Sequence, residues 1–259
     1  MEIEEGTALE GVVERRFELA RGSRTIPGTL WQPTVPTGDA DPVVMIGHGG
    51  GGSSSEGYVV ALGRALARTW SITSFAIDGP VHGRRRGTRP NDPALVMLDF
   101  SQAWANDPTM TDEMVADWQA AMTAVLGALG LLERPLGWWG LSMGTILGLP
   151  VVAAEPRITA CVLGLAGVIG PTSDRLAADA GAIGCPTLFL AQRDDELFGF
   201  EPVVELYDAI AAPDKQLRVA PGSHAQVSVE TFAATMEFLD GRLRGVSSPD
   251  RPRSPEGPR

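Results

Sequence analysis

Cysteine and histidine are scarce in this 259-residue chain, and it has no long hydrophobic run. The two cysteines, Cys161 and Cys185, lie in or beside apolar stretches, so buried free thiols are favoured over a disulfide. No cysteines and histidines have metal-ligand spacing, and the sequence therefore implies no metal and no other cofactor. No window approaches the roughly 20 apolar residues of a membrane span. The N-terminal segment is acidic and lacks the apolar core of a signal peptide.

Basic residues are also few: 21 Lys and Arg stand against 32 Asp and Glu, which gives a net charge of −11. This negative charge argues against nucleic acid and against an anionic membrane as partners. The hydrophobic content of 44% and the charged content of 20% are typical of a globular protein. We therefore expect a cytoplasmic protein, and we leave open whether it forms a homodimer.

Short apolar runs alternate with helical segments along most of the chain. The first two runs, Val12–Ala20 and Arg24–Trp31, predict an antiparallel hairpin in which Pro27 indicates an edge strand. Further strands are predicted at 43–47, 71–77, 136–139, 158–165, 186–191 and 216–220. This alternation predicts an α/β fold with a mostly parallel central sheet, helices on both faces and one domain spanning residues 1–245. Residues 246–259 contain four prolines among serines and charged residues, and are predicted to be a disordered tail.

The segment RPLGWWGLSMGTILG at 134–148 carries the most informative motif, G-x-S-x-G at residues 140–144. An apolar strand-like run precedes the motif, and an apolar stretch of small residues at 145–154, typical of a helix, follows it. This context favours a nucleophile elbow, a strand–turn–helix in which Ser142 sits on a sharp, strained turn. Glycines at 140 and 144 relieve the crowding beside such a turn.

Other chemically reactive side chains follow other predicted strands. His48 and the glycines 49–52 follow the run 43–47, and Asp78 begins the segment DGPVHG after the run 71–77. Asp194 and Asp195 follow the run 186–191, and His224 follows the last strand. Because ligands bind at the carboxyl ends of the strands in such sheets, we expect these residues to gather near Ser142.

With these motifs in this order, the sequence resembles the α/β-hydrolases, and among them the dienelactone-hydrolase-related esterases. The resemblance covers most of residues 12–243 and rests on HGGGG, DGPVHG, GLSMG, QRDDELF and GSH, each after a predicted strand. It implies the α/β-hydrolase fold and a Ser, Asp, His order of catalytic residues. The best-known dienelactone hydrolases carry a cysteine nucleophile, so the serine here shifts the expected substrate from lactones toward general carboxylic esters.

The chemistry of the motif requires a base for Ser142. A serine hydroxyl is a weak nucleophile unless a neighbouring imidazole accepts its proton, and a carboxylate must orient that imidazole. His224 is the candidate base, because it alone of the three histidines follows the final strand. His48 and His82 are expected to support their loops.

The acid of the predicted triad has two candidates, which are adjacent in the chain. In related esterases the acid comes three residues after a glycine, and Gln192 takes the place of that glycine here. The resemblance therefore favours Asp195, and Asp194 stays the alternative.

Two backbone N–H groups are expected to form the oxyanion hole. One is that of Met143, the residue after the nucleophile, and the resemblance assigns the other to Gly50, with Gly51 as the alternative and as a residue close to substrate. A phosphate-binding interpretation of the glycine segment is weaker, because no Gly-Lys-Ser/Thr follows.

Residues 84–111 form a longer connection than is usual in such a domain. Their scattered apolar residues predict a small lid at the mouth of the active site, with Phe100 and Trp104 in contact with substrate. The alternative is a long connection that only packs against the rest of the domain. Arg84–Arg86 at its start are expected to be a solvated loop rather than an anion anchor. Trp138 and Trp139 are expected to pack in the core.

The sequence thus predicts a serine hydrolase that cleaves a small-molecule carboxylic ester through an acyl-enzyme on Ser142, His224 and Asp195. Hydrolysis of an amide, a peptide or a C–C bond on the same triad is the enzymatic alternative. A catalytically inactive binding module is the alternative of a different class.

Overall fold

The computed structural model describes residues 1–35, 38 and 41–245. The disordered tail predicted at 246–259 lies outside these residues. In chain order the strands are β1 (Glu2–Ile3), β2 (Thr7–Leu9), β3 (Val12–Arg21), β4 (Arg24–Pro33), β5 (Val43–Gly47), β6 (Thr73–Ile77), β7 (Leu136–Gly140), β8 (Ile158–Gly164), β9 (Thr187–Gln192) and β10 (Lys215–Ala220). The helices are α1 (Gly57–Trp70), α2 (Pro93–Asn106), α3 (Met110–Leu129), α4 (Met143–Ile146), α5 (Gly148–Ala154), α6 (Ser173–Ala180), α7 (Phe200–Ala209) and α8 (Val229–Leu243), with a 3₁₀ helix at Gly83–Arg86.

The strands form one mixed sheet in the order β1-β3-β4-β6-β5-β7-β8-β9-β10, and β2 pairs with β3. The strands β6, β5, β7, β8, β9 and β10, in this order across the sheet, are parallel to one another. The β3–β4 hairpin is antiparallel, and its β4 pairs with β6 in an antiparallel ladder. The predicted α/β-hydrolase fold, with a mostly parallel sheet, is confirmed. In the parallel part of the sheet, the carboxyl ends of β5, β6, β7 and β9 lie at one edge. The reactive residues named above come directly after these strand ends.

Two hydrophobic clusters cover the two faces of the sheet. On β5, Val43 and Met45 point into the cluster formed with α3, α5, α6 and α7, while Val44 and Ile46 point into the cluster formed with α1 and α8. Alternate side chains of a strand face opposite sides, so burial on both sides produces a continuous apolar run. Among the described residues, no helix is long and apolar enough to span a membrane.

The prediction that Pro27 marks an edge strand is wrong. β4 lies between β3 and β6, and it pairs with β6 only from Gly28 to Trp31. Pro27 stands one residue beyond that ladder, where its carbonyl oxygen accepts a hydrogen bond from the Asp78 N–H at 2.9 Å. Proline has no N–H to donate, and at this position past the end of the β4–β6 ladder no ladder hydrogen bond is lost. An internal strand therefore accommodates this proline.

The prediction of a solvated loop at Arg84–Arg86 is also wrong. The Arg86 side chain is only 2% exposed and donates to Asp99 at 2.9 Å, and Arg85 donates to the buried Asp117 at 2.6 Å. Arg84 donates to the carbonyl oxygen of Gly28 at 2.7 Å. Carboxylates and carbonyl groups replace solvent around Arg85 and Arg86, which lets both lie inside the fold, whereas Arg84 stays partly exposed.

Helix α2 occupies the centre of the insertion at 84–111. Its Phe100 belongs to the main hydrophobic cluster, whereas Leu95 and Leu98 are about half exposed. The insertion is therefore anchored in the core on one side and carries an apolar surface on the other. Its role as a lid stays a prediction.

Candidate active site

The segment after β7 forms a sharp turn at Ser142. This residue has φ of 58° and ψ of −121°, a strained conformation for a side chain with a Cβ atom. Its N–H donates to the carbonyl oxygen of Gly164 on β8 at 2.9 Å, which helps to hold the turn. A Cβ atom on Gly140 would lie 2.4 Å from the oxygen of Gly144, and one on Gly144 would lie 2.3 Å from the oxygen of Gly47. Both flanking glycines are therefore required by close backbone approach.

His224 bridges Ser142 and Asp195. Its Nε2 lies 3.0 Å from Ser142 Oγ, and its Nδ1 lies 2.9 Å from Asp195 Oδ2. The Asp195 carboxylate is buried, and its other oxygen accepts from the N–H groups of Leu197 and Phe198 at 2.9 and 3.0 Å. An Nδ1–H that donates to Asp195 leaves Nε2 free to accept the serine proton.

Asp194 lies elsewhere. It is exposed, and its carboxylate accepts from the Gly222 N–H at 3.2 Å. The structure therefore brings Asp195, and not its neighbour, to the imidazole of His224. Glu196, on the other side, accepts from the His224 backbone N–H at 2.9 Å, and this bond lowers the pKa of the Glu196 carboxyl.

Three backbone N–H groups of the glycine segment after β5 donate hydrogen bonds. The Gly49 N–H donates to the Tyr58 hydroxyl at 2.5 Å, the Gly51 N–H to His82 Nε2 at 3.1 Å, and the Gly52 N–H to the Gly49 oxygen at 3.3 Å. Within the part of the chain that the structure describes, the Gly50 N–H has no acceptor, and the Met143 N–H has none either. A Cβ atom on Gly50 would lie 4.0 Å from Met143 Cβ, so these two donors lie on neighbouring residues in space.

Two buried histidines connect this segment to the loop after β6. His48 Nε2 accepts from the Gly79 N–H at 2.8 Å, and its Nδ1 lies 2.8 Å from the Gly49 oxygen. The His82 Nδ1 lies 2.6 Å from the Pro80 oxygen, while its Nε2 accepts from Gly51. Burial lowers the pKa of His82 to about 4 and also lowers the pKa of His48. Both rings are therefore neutral at pH 7 and serve the loop backbone, as the sequence predicts.

Two further residues hold this site: sequence reasoning missed Tyr58 altogether, and it placed Asp78 near the site without predicting its role. Tyr58, in the first turn of α1, supplies the acceptor for Gly49. Asp78 accepts from the N–H groups of Ser54 and Arg84 at 2.8 and 2.7 Å, which ties together the loops after β5 and β6. The place of Asp78 at a strand end was visible in the sequence, but no pattern indicates what a lone tyrosine in a helix contacts.

The structure places the predicted substrate-contacting residues at different depths. Phe100 is buried with its ring 5.5 Å from that of His82, and Trp104 stacks on Phe100 and donates to the Thr172 hydroxyl at 3.0 Å. Met97 lies closer to the glycine segment, because a Cβ atom on Gly50 would be 2.6 Å from its sulfur. The substrate contacts of Gly51, Phe100 and Trp104 stay predictions.

Packing roles predicted for other residues are confirmed. Trp138 and Trp139 are 1% exposed, on opposite faces of the sheet. Cys161 and Cys185 are free thiols with their sulfur atoms 4.0 Å apart; Cys161 is buried as predicted, whereas Cys185 is only half-buried. Burial raises the pKa of the Cys161 thiol well above its ordinary value, so it is an inert core residue.

Neither a protein-family model nor a curated protein matches the chain. Among solved structures, a cold-adapted esterase from an Arctic intertidal metagenomic library, in a complex with PEG, is 37% identical with a TM-score of 0.83, and the match covers 94% of this chain and 100% of that one. A dienelactone hydrolase from Anabaena variabilis is 16% identical, with a TM-score of 0.63 and coverage of 91% and 99%. An acetyl xylan esterase from Paenibacillus sp. R4 is 15% identical, with a TM-score of 0.67 and coverage of 93% and 88%. The last two similarities show the fold alone.

The sheet, the elbow after β7 and these similarities define an α/β-hydrolase. The 37% identity to an esterase over nearly the whole chain shows the family as well: this chain belongs to the α/β-hydrolase esterases and is a carboxylic ester hydrolase. The predicted fold, family and enzyme class are thereby confirmed.

Proposed function

We propose that this esterase cleaves small carboxylic esters through an acyl-enzyme on Ser142, with His224 as the general base and Asp195 as the residue that orients it. The observation that supports this proposal is the continuous chain of hydrogen bonds from Ser142 Oγ through both ring nitrogens of His224 to Asp195. Ser142 Oγ attacks the ester carbonyl carbon while its proton passes to Nε2. The Asp195 carboxylate stabilises the imidazolium that forms.

The tetrahedral intermediate carries its negative charge on the former carbonyl oxygen. The N–H groups of Gly50 and Met143 are proposed to donate to this oxyanion, because the neighbouring Gly49 and Gly51 N–H groups are already engaged. The N-terminal end of α4 adds a favourable dipole at the same place. Each such donor is typically worth about 3 kcal/mol of transition-state stabilisation.

The intermediate then collapses and the ester C–O bond breaks. The His224 Nε2–H protonates the leaving alcohol, and the acyl group stays on Ser142 Oγ. Water enters, gives its proton to Nε2 and attacks the acyl carbon. The second intermediate releases the carboxylic acid, and the proton returns to Ser142.

The test combines turnover with covalent labelling. Purified protein is assayed with p-nitrophenyl acetate and butyrate, and a serine-directed phosphonate is followed by peptide mass spectrometry. The proposal expects turnover, inactivation by the phosphonate and a mass increase on the peptide that contains Ser142. Turnover that survives full labelling, or a label on another residue, would contradict the proposed nucleophile. A parallel panel of amides and β-diketones measures the range of bonds cleaved.

A further inference from the structure

The strained turn at Ser142 lies beyond the ladders that β7 forms with its neighbours. On the β8 side the ladder ends with Trp139 opposite Val162, and on the β5 side it ends with Gly140 opposite Gly47. Neither ladder reaches the serine. A residue in a strained conformation keeps it only when the surrounding structure fixes it. Contacts outside the ladders must therefore attach this turn to the sheet.

Gly164, the last residue of β8, is the point of the sheet to which the turn is attached. Its carbonyl oxygen accepts from the Ser142 N–H at 2.9 Å. Strand β9 fixes Gly164 from the other side, because a Cβ atom at this position, where φ is 147°, would lie 2.3 Å from the Leu190 oxygen. The following N–H, that of Leu165, donates to the same Leu190 oxygen at 3.0 Å. Gly164 is therefore a rigid anchor between the nucleophile turn and β9.

The hydroxyl of Thr145 joins this anchor to both sides of the turn. Thr145 lies in α4, and its side chain is fully buried. Its Oγ1 accepts from the Gly164 N–H at 2.8 Å, and it can donate to the Gly164 oxygen at 2.7 Å or to the Gly140 oxygen at 2.9 Å. Gly140 is the last residue of β7. One hydroxyl thus connects the strand before the nucleophile, the helix after it and the end of the neighbouring strand.

A small displacement of this turn would disturb two groups that the proposed reaction needs. Ser142 Oγ has to stay 3.0 Å from His224 Nε2, and the Met143 N–H has to point at the oxyanion. Misplacing a reacting group by about 1 Å can reduce a rate by about 10²-fold. Removing the Thr145 hydroxyl leaves the buried Gly164 N–H without an acceptor, which is costly enough to move the anchor.

We propose that Thr145 is a positioning residue of this esterase, whose hydroxyl holds the backbone of Ser142 and Met143 in the geometry that acyl transfer requires. The inference rests on the proposed role of Ser142 as the nucleophile. All hydrogen bonds of the Thr145 hydroxyl go to backbone groups. Its loss should therefore lower the rate of the chemical step and leave the affinity for substrate nearly unchanged.

The test compares two substitutions of Thr145 with one at a matched position. Thr145→Val keeps the shape of the side chain and removes the hydroxyl, whereas Thr145→Ser keeps the hydroxyl and removes the methyl group. The control is Thr187→Val: Thr187 is also fully buried and donates to the Cys185 oxygen at 2.9 Å, but it begins β9, at the edge of the sheet opposite the proposed triad. For each folded protein the measurements are kcat and KM for p-nitrophenyl butyrate, the second-order rate of phosphonate inactivation, and the free energy of unfolding in urea.

We expect Thr145→Val to lower kcat by about tenfold or more and to change KM by less than about twofold, because the transition state alone depends on this geometry. Inactivation by the phosphonate, which reports the attack of the serine without product release, should slow by a similar factor. Thr145→Ser should keep kcat within about threefold of the wild type. Thr187→Val should lose stability and keep its kcat.

Wild-type kcat in folded Thr145→Val, or an equal loss in Thr145→Ser and Thr145→Val, would overturn the proposal. An equal loss in Thr187→Val would overturn it too, since lost stability would then explain the effect. If Thr145→Val does not fold, Thr145→Ala is compared with Thr145→Ser, because these two differ by the hydroxyl alone, and equal kcat values decide against the proposal. Failure of the proposed function is recognised separately, by a phosphonate label on a residue other than Ser142 in the wild type.

Discussion

His224 and His82 both follow parallel strands at the same edge of the sheet, yet their surroundings differ in one respect that separates their roles. The ring of His224 contacts a carboxylate on one side and the Ser142 hydroxyl on the other. The ring of His82 contacts only backbone groups through its nitrogens, and burial lowers its pKa to about 4. A general base must hold a proton during the reaction, and a carboxylate hydrogen-bonded to the second ring nitrogen is the group that a catalytic triad uses for this. The comparison teaches that the partner of the second ring nitrogen separates the histidine proposed as the base from the one that holds loop backbone.

The largest effect should come from removing the base itself. We expect His224→Ala to lower kcat for p-nitrophenyl butyrate by about 10⁶-fold, as loss of the serine or histidine does in a triad that acts as a unit. Steady-state and single-turnover kinetics of the folded variant measure this. A loss of less than about tenfold would show that His224 is not the base.

The carboxylate that defines the difference between the two histidines can be removed with its neighbour as the control. Asp195→Asn should reduce kcat by about 10⁴-fold, because the imidazole then takes the wrong tautomer. Asp194→Asn should keep nearly full activity and change the free energy of unfolding by only about 0.5 kcal/mol. The two variants are compared in the same kcat assay after a check of folding. The reverse ranking would move the acid by one residue.

The supporting histidine should matter less and in a different way. His82→Ala removes the acceptor for Gly51 and loosens the segment that carries the Gly50 N–H, so we expect kcat to fall by about tenfold with KM little changed. This is less than the 10²–10³-fold cost of losing an oxyanion donor outright. His82→Gln supplies an amide oxygen as an alternative acceptor and should recover part of kcat. Equal kcat in the wild type, His82→Ala and His82→Gln would show that His82 does not position the loop.

The lowered pKa of His82 also predicts a pH dependence of stability. Well above pH 6.5 the ring is neutral in both the folded and unfolded states, so it contributes no pH dependence there. Between pH 6.5 and about 4 only the unfolded state binds the proton, so the free energy of unfolding falls as the pH drops, by roughly 3 kcal/mol over the whole window. Urea unfolding of wild type and His82→Gln from pH 7 to pH 5 isolates this contribution, since His48 and the carboxylates titrate in both. Parallel curves for the two proteins would refute it.

The smallest effect concerns the insertion that covers the glycine segment. If α2 acts as a lid, Met97→Ala should change the ratio of kcat/KM for long and short acyl esters by up to about tenfold, the scale set by single apolar contacts in a pocket. Phe100→Ala and Trp104→Ala test the deeper residues in the same assay, with esters from acetate to octanoate. An unchanged ratio in all three folded variants would leave α2 as a packing element alone.

Local patterns in the sequence determined the strands of this protein and the sharp turn at Ser142. A G-x-S-x-G segment between an apolar run and a helix specifies the elbow, because only glycine tolerates the backbone contacts seen at positions 140 and 144. Continuous apolar runs specify buried parallel strands. Ser142, Asp195 and His224 each follow one of the predicted strands, so the sequence alone places them at strand ends. Such features depend on neighbours within a few residues, so they can be read without the fold.

Contacts between distant parts of the chain were decided by the tertiary structure alone. Arg85 is buried because it forms an ion pair with Asp117, which lies 32 residues away in the sequence. The Gly49 N–H is held by the hydroxyl of Tyr58 in α1. Pro27 lies inside the sheet because the β6 ladder ends beside it. The sequence favoured Asp195 over Asp194 only by resemblance; which of two adjacent carboxylates reaches His224 depends on the path of the backbone after β9. Hydrogen bonds and ion pairs act over a few ångströms, and only folding determines which side chains come within that distance.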